Sequence, residues 1–213
     1  MKGCDLYIIL DREVAKGRDL VKIAHQSILG GARLFQLRDK VSSGRDILAE
    51  ARRLRDLTRY MGCLFILNDR IDIALAADAD GVHLGQDDMP YHLARKLVGR
   101  NKLIGVSATN LTQALTAQEN GADYIGVGPI YATGTKPGAS PSGPDIIPAI
   151  LKQISIPSFF LGGINPENIG EVVKRGASSV AVASAVVDSA DPMEATRALI
   201  SALRETEKRA VAI

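Results

Sequence analysis

Two carboxylates, Asp69 and Asp88, and three cations, Arg38, Lys40 and Lys136, stand where short apolar runs give way to polar loops. An Asp pair without His or Cys suits Mg2+, which keeps several waters and shares its sphere with phosphate oxygens. Taken alone, either carboxylate would serve as a helix cap, a role for which Asp72 and Asp87 compete. A metal with Arg and Lys clamps is what a pyrophosphate needs as it leaves and its charge grows. A second anion site is suggested by Gly162-Gly163-Ile164, the following Asn165-Pro166-Glu167-Asn168, and Ser184, which is expected to open the last helix. Glycine-exposed N–H groups and a helix N-terminus favour an oxyanion. Read blandly, Gly162-Gly163 is a turn and Asn165 a cap.

Other signals are weaker. Gly134-Thr135-Lys136 has a superficial likeness to a Walker A loop, but the upstream glycine spacing fails. Gly126-Val127-Gly128 lacks the third glycine of a dinucleotide turn. No Ser-His-Asp or Cys-His arrangement is evident, so nucleophilic hydrolysis is not expected. His25 and His92 fall in helical stretches, while His83 ends an apolar run beside the carboxylate pair, where a supporting role is open to it. The stretch from Thr133 to Gly143 is rich in small residues and reads as a lid.

These residues must be carried by regular elements, and an internal repeat shows which. Gly-Ala, two variable residues and an aliphatic strand recur at Gly31, Gly121 and Gly176, with a weaker copy at Ala77. The copies lie roughly 45 residues apart, which fits two strand–helix units. Four further apolar runs, Leu6 to Leu10, Cys63 to Leu67, Leu103 to Val106 and Ser158 to Leu161, lie between them. Continuous Val/Ile/Leu runs are the mark of a parallel sheet covered on both faces. Eight strands alternating with eight helices in 213 residues leave about 27 residues per unit, which predicts a single-domain α/β TIM barrel spanning residues 1–213. A doubly wound open sheet is the alternative, but Asp11-Arg12-Glu13 offers no glycine turn after the first strand. In a barrel the chemistry lies at the carboxyl ends of the strands, which is where every polar candidate falls. Cys4 and Cys63 fall at the opposite end and are expected to be reduced and structural.

Composition bounds the partners. With 26 Lys and Arg against 24 Asp and Glu, the net charge of +2 is too small for a general grip on nucleic acid. No apolar stretch approaches the roughly 20 residues of a membrane span. The expectation is a soluble cytoplasmic protein acting on small molecules, with any anion site local and homo-oligomerisation left open.

Taken together, Gln36-Leu37-Arg38-Asp39-Lys40, Asn68-Asp69, Gly81 to Asp88, Gly128 to Lys136 and Gly162-Gly163-Ile164 resemble the ordered motifs of the thiamine phosphate synthase family, from about Leu6 to Ser189. The resemblance implies a TIM barrel and a Mg2+-dependent transferase. Its reaction joins 4-amino-2-methyl-5-(diphosphooxymethyl)pyrimidine to a thiazole phosphate, giving thiamine monophosphate and pyrophosphate. It also implies roles. Gln36, Leu37, Arg38, Asp39, Lys40, Asn68, Ser107 and Lys136 would hold the pyrimidine pyrophosphate, with Arg38, Ser107 and Lys136 acting in catalysis. Asp69 and Asp88 would hold Mg2+, and Thr133, Gly134, Thr135, Gly163, Ala183 and Ser184 the thiazole phosphate. The chain departs from the family at Ala132, where Pro is usual, and at Phe160, where a smaller residue is commoner. Two alternatives are a related barrel that isomerises a thiazole phosphate and a phosphate-ligand sensor without turnover. The first would lack the metal carboxylates and the Thr-x-Thr-Lys loop, both of which are present.

Overall fold

Alternation along the strands decides which side chains meet. The computed structural model describes residues 1, 3–134 and 140–210, with side chains as far as residue 204. Its strands are β1 Leu6–Asp11, β2 Leu34–Arg38, β3 Leu64–Asn68, β4 Gly81–Leu84, β5 Leu103–Ala108, β6 Tyr124–Val127, β7 Ser158–Leu161 and β8 Val180–Val182. All pair in parallel with their sequence neighbours, and β8 closes onto β1 through Leu6↔Val180 and Tyr7↔Ala181. This is the eight-stranded α/β barrel expected from the repeat.

Successive side chains point to opposite faces of a strand. On β1, Leu6, Ile8 and Leu10 pack outward into the core shared with the helices, and Tyr7 and Ile9 pack inward. On β7, Phe160 faces outward and is fully buried there, whereas Phe159 fills the barrel interior beside Tyr7 and Tyr124. The bulky Phe160 is thus accommodated between sheet and helices.

The helices are α1 Leu20–Leu29, α2 Gly44–Tyr60, α3 Ile71–Ala76, α4 Tyr91–Val98, α5 Leu111–Glu119, α6 Ile146–Gln153, α7 Ile169–Lys174, α8 Ser184–Val187 and α9 Pro192–Ala210. Asp19, Ser43 and Asn110 cap α1, α2 and α5 by accepting backbone N–H bonds, each worth about 1 kcal/mol. One helix more than expected is present among the described residues, because a single turn, α8, precedes α9. Ser184 therefore opens α8 and not the last helix. At the repeat joints Gly31, Gly121 and Gly176 take positive φ, and in the weaker copy Asp78 does so at 51°. No helix among the described residues is long and apolar enough to cross a membrane.

Candidate active site

Strand ends converge on one cavity at the carboxyl face of the barrel. Gln36, Arg38, Lys40, Asn68, Asp69, Asp88 and Ser107 line it on one side, and Thr133, Gly163, Ala183 and Ser184 on the other. Three expected residues are placed elsewhere. Leu37 has the outward parity and is buried in the helix-facing core. Asp39 shares that parity: its Oδ1 accepts the N–H groups of Val41 (3.1 Å) and Ser42 (2.9 Å), and its Oδ2 lies 3.5 Å from Arg12 Nε. Burial pushes its carboxyl up, but Ser42, Val41 and Arg12 hold it below its ordinary value. Gly134 is exposed and does not line the cavity. Thr135 and Lys136 lie outside the described residues.

Arg38 is held by a residue that sequence reading passed over. Asp11, only 1% exposed at the end of β1, pairs through Oδ2 with the Arg38 guanidinium. Its Oδ1 accepts the N–H groups of Glu13 at 3.0 Å and Val14 at 3.1 Å. The carboxylate is thereby fixed by its own backbone turn and presents one face to the arginine.

The carboxylate pair behaves as one unit. Asp69 sits at φ 59° just past β3, its N–H donating to the His83 carbonyl at 2.9 Å. Lys40 Nζ donates to Asp69 Oδ2, and Gly85 N–H donates to Asp88 Oδ2 at 2.6 Å. Burial and a hydrogen bond with Asp88 raise the Asp69 carboxyl, against the pull of Lys40. Asp88 is lowered because the bonds from Asp69 and Gly85, with Lys40 nearby, outweigh its own burial. Two like charges this close disfavour joint ionisation. A divalent cation would relieve that repulsion, so the pair fits a hard metal. No cluster of three or more His, Cys, Asp or Glu ligands exists among the described residues, so the rest of its shell would be substrate oxygens and water.

The opposite wall is backbone. Gly162 and Gly163 have φ of 96° and 65°, and a Cβ on Gly163 would lie 2.5 Å from the Ala132 carbonyl oxygen. Asn165 and Asn168 brace the turn, Asn165 Oδ1 accepting from Asn168 N–H at 3.1 Å and Asn168 Nδ2 donating to the Gly163 carbonyl at 2.8 Å.

Beneath the mouth, Ser107 Oγ lies 3.0 Å from His83 Nε2, whose ring is buried at the end of β4. Burial pushes this imidazole down to about 4, against the attraction of Asp88. Between 6.5, the ordinary value, and about 4, the unfolded chain binds a proton that the folded chain does not, so stability falls as pH drops through that window. At pH 5 the loss should be about 2 kcal/mol. Urea midpoints at pH 7 and pH 5 should converge less in the native protein than in His83→Asn, which lacks this acid-sensitive group; an equal drop in both would refute the assignment. Cys4 and Cys63 are free, buried thiols at the amino-terminal side, raised by burial.

Comparisons with known proteins agree with one another. A family model described as thiamine monophosphate synthase matches residues 6–186. A thiamine-phosphate synthase of Chloroflexus aurantiacus is 50% identical over 207 residues, covering 97% of this chain and 95% of its own. One from Methanospirillum hungatei is 48% identical over 195 residues, covering 91% and 95%. The solved thiamine phosphate pyrophosphorylase of Pyrococcus furiosus superposes with a TM-score of 0.86 at 36% identity, covering 96% of this chain and 97% of that one.

Proposed function

We propose a division of labour at the barrel mouth from one premise: the chain belongs to the thiamine monophosphate synthase family and is a transferase with thiamine-phosphate synthase activity, acting on small molecules. In this reading Arg38, Lys40, Asn68 and Ser107 hold the diphosphate of the pyrimidine substrate, with Gln36 and Lys136. Gly163, Ala183, Ser184 and Thr133, with Gly134 and Thr135, hold the thiazole phosphate. Leu37 and Asp39 serve by shaping the β2 loop, since their side chains face away from the cavity. The observation that carries the reading is the meeting of Arg38, Lys40 and the Asp69–Asp88 pair at one mouth.

Asp69 and Asp88 would hold Mg2+, which supplies neutralising charge to the diphosphate when bound. The chain's own work is electrostatic. An electron-rich aminopyrimidine lets its methylene carbon lose pyrophosphate as a stabilised cation, so the residues must grip the leaving group and place the thiazole nitrogen beside that carbon. No general base is needed, which agrees with a mouth rich in cations, amides and hydroxyls. Arg38 and Lys40 offset the charge that grows on the departing oxygens. The glycine wall would offer N–H donors to the thiazole phosphate. We keep the cytoplasm as the place of work, supported by two free thiols.

Pyrophosphate release with both substrates, with and without Mg2+, tests the reading; absence of Mg2+-dependent release would overturn the metal assignment. Asp88→Asn should raise the Mg2+ concentration for half-maximal rate by roughly tenfold or more, as loss of even an outer partner does at metal sites. An unchanged Mg2+ titration would remove Asp88 from the ligands.

A further inference from the structure

Five polar side chains are linked across the barrel interior. Gln36 Nε2 donates to Tyr7 Oη at 2.6 Å, and Tyr7 Oη lies 2.9 Å from Tyr124 Oη. Tyr124 Oη is 3.2 Å from His83 Nδ1, and His83 Nε2 is 3.0 Å from Ser107 Oγ. Gln36, Ser107, Tyr7 and His83 all line the cavity; Tyr7, Tyr124 and His83 have no part in the roles assigned above.

The direction of the first bond propagates, because each hydroxyl owns a single proton. Tyr7 oxygen accepts the amide N–H, so its proton goes to Tyr124. Tyr124 then gives its proton to His83 Nδ1. A neutral imidazole that accepts at Nδ1 carries its proton on Nε2 and donates it to Ser107. Among the described residues Ser107 Oγ has no other hydrogen-bond partner, so its own proton is free to face the cavity. Run backwards, the chain would take the serine proton into His83 and leave only lone pairs facing an anion.

We propose that these groups form a directed hydrogen-bond chain in which the Gln36 amide selects the His83 tautomer and so turns Ser107 into a donor aimed at the leaving diphosphate. Tyr7, Tyr124 and His83 are positioning residues of this reaction. The chain's direction rests on the Gln36 amide orientation carried through the four contacts; its target rests on the proposed reading of the mouth.

The fold is built to hold this chain. Phe159 meets Tyr7 and Tyr124 edge-on, with centroids 5.3 and 5.7 Å away, which sets the planes that bring the two hydroxyls together. A Cβ on Gly126 would stand 3.1 Å from His83 Cε1 and 2.9 Å from Leu161 Cδ2, so glycine there leaves room for the imidazole. Gln86 Nε2 donates to the Ser107 carbonyl at 2.6 Å and fixes the backbone at the far end. Linked hydrogen bonds in a low dielectric reinforce one another, so a bias at one end is felt at the other.

The test is the side-chain nitrogen spectrum of His83 in the intact protein without substrates. A protonated Nε2 with a pyridine-like Nδ1 is expected; a protonated Nδ1 overturns the direction whatever the enzyme catalyses. Tyr7→Phe cuts the chain far from Ser107. It should give a mixture of tautomers and lower kcat several-fold, with KM for the thiazole phosphate unchanged. A pure Nε2–H tautomer in Tyr7→Phe would mean that His83's own neighbours set it, and would overturn selection by Gln36. Ser107→Ala should lower the rate of pyrophosphate release by roughly tenfold or more. An unaltered rate together with the expected tautomer would overturn the target and leave the direction standing.

Discussion

Replacing Arg38 by alanine should cut the rate of pyrophosphate release by roughly a hundredfold or more, the scale on which loss of one preorganised donor to a developing oxyanion is felt. The guanidinium stands at the end of β2 with its side chain one-fifth exposed, and Asp11 behind it is almost wholly buried. Asp11 therefore fixes where the remaining N–H donors point. The same pairing complicates a simple truncation. Removing the arginine leaves a buried carboxylate without its countercharge, a loss that runs to about 3–5 kcal/mol in buried pairs. Asp11→Asn in the same chain removes that charge while keeping a side-chain oxygen for the Glu13 and Val14 N–H groups. The double variant should regain stability and stay slow. Recovery of the rate in the double variant would show that Arg38 acts only on the fold. Arg38→Lys should fall between, since it keeps a charge but loses the planar fork.

Gly105→Ala should destabilise the barrel by about 3 kcal/mol or more, at the upper end of what overpacking a core does. A Cβ there would stand 2.5 Å from Tyr124 Cε1 and closer still to Cζ. The ring has no retreat, because Phe159 lies edge-on against it and its hydroxyl is tied between Tyr7 and His83. The measurement is the urea midpoint at unchanged m-value. A loss below about 1 kcal/mol would show that Tyr124 can leave its place. Tyr124→Leu added to Gly105→Ala should recover part of the loss by clearing the space.

Much of the site was readable along the chain because β-strands report their geometry in the order of residues. Gln36, Arg38 and Lys40 share one parity and all reach the cavity, whereas Leu37 and Asp39 share the other and do not. Strand alternation by itself separates the two sets, although all five residues belong to one contiguous motif. Tyr7 and Tyr124 carried a similar signal, since a tyrosine at an inward position must find a partner for its hydroxyl. Neither residue belongs to one of the family's motifs, and only the closed barrel brings them together across a sequence separation of 117 residues.

What the linear chain determined by itself is local and periodic: the repeated Gly-Ala joints, the eight parallel strands, the carboxyl-end location of the polar residues, and the motifs that mark the family. These follow from steric limits on turns and from burial on both faces of a sheet, which neighbouring residues express directly. Tertiary structure alone decided which groups meet. The grip of Asp11 on Arg38, the shared environment of Asp69 and Asp88, and the chain from Gln36 to Ser107 each join residues from different strands or the loops that follow them. Closure of the sheet sets those distances, and charge and hydrogen bonding act through distance and not through sequence order.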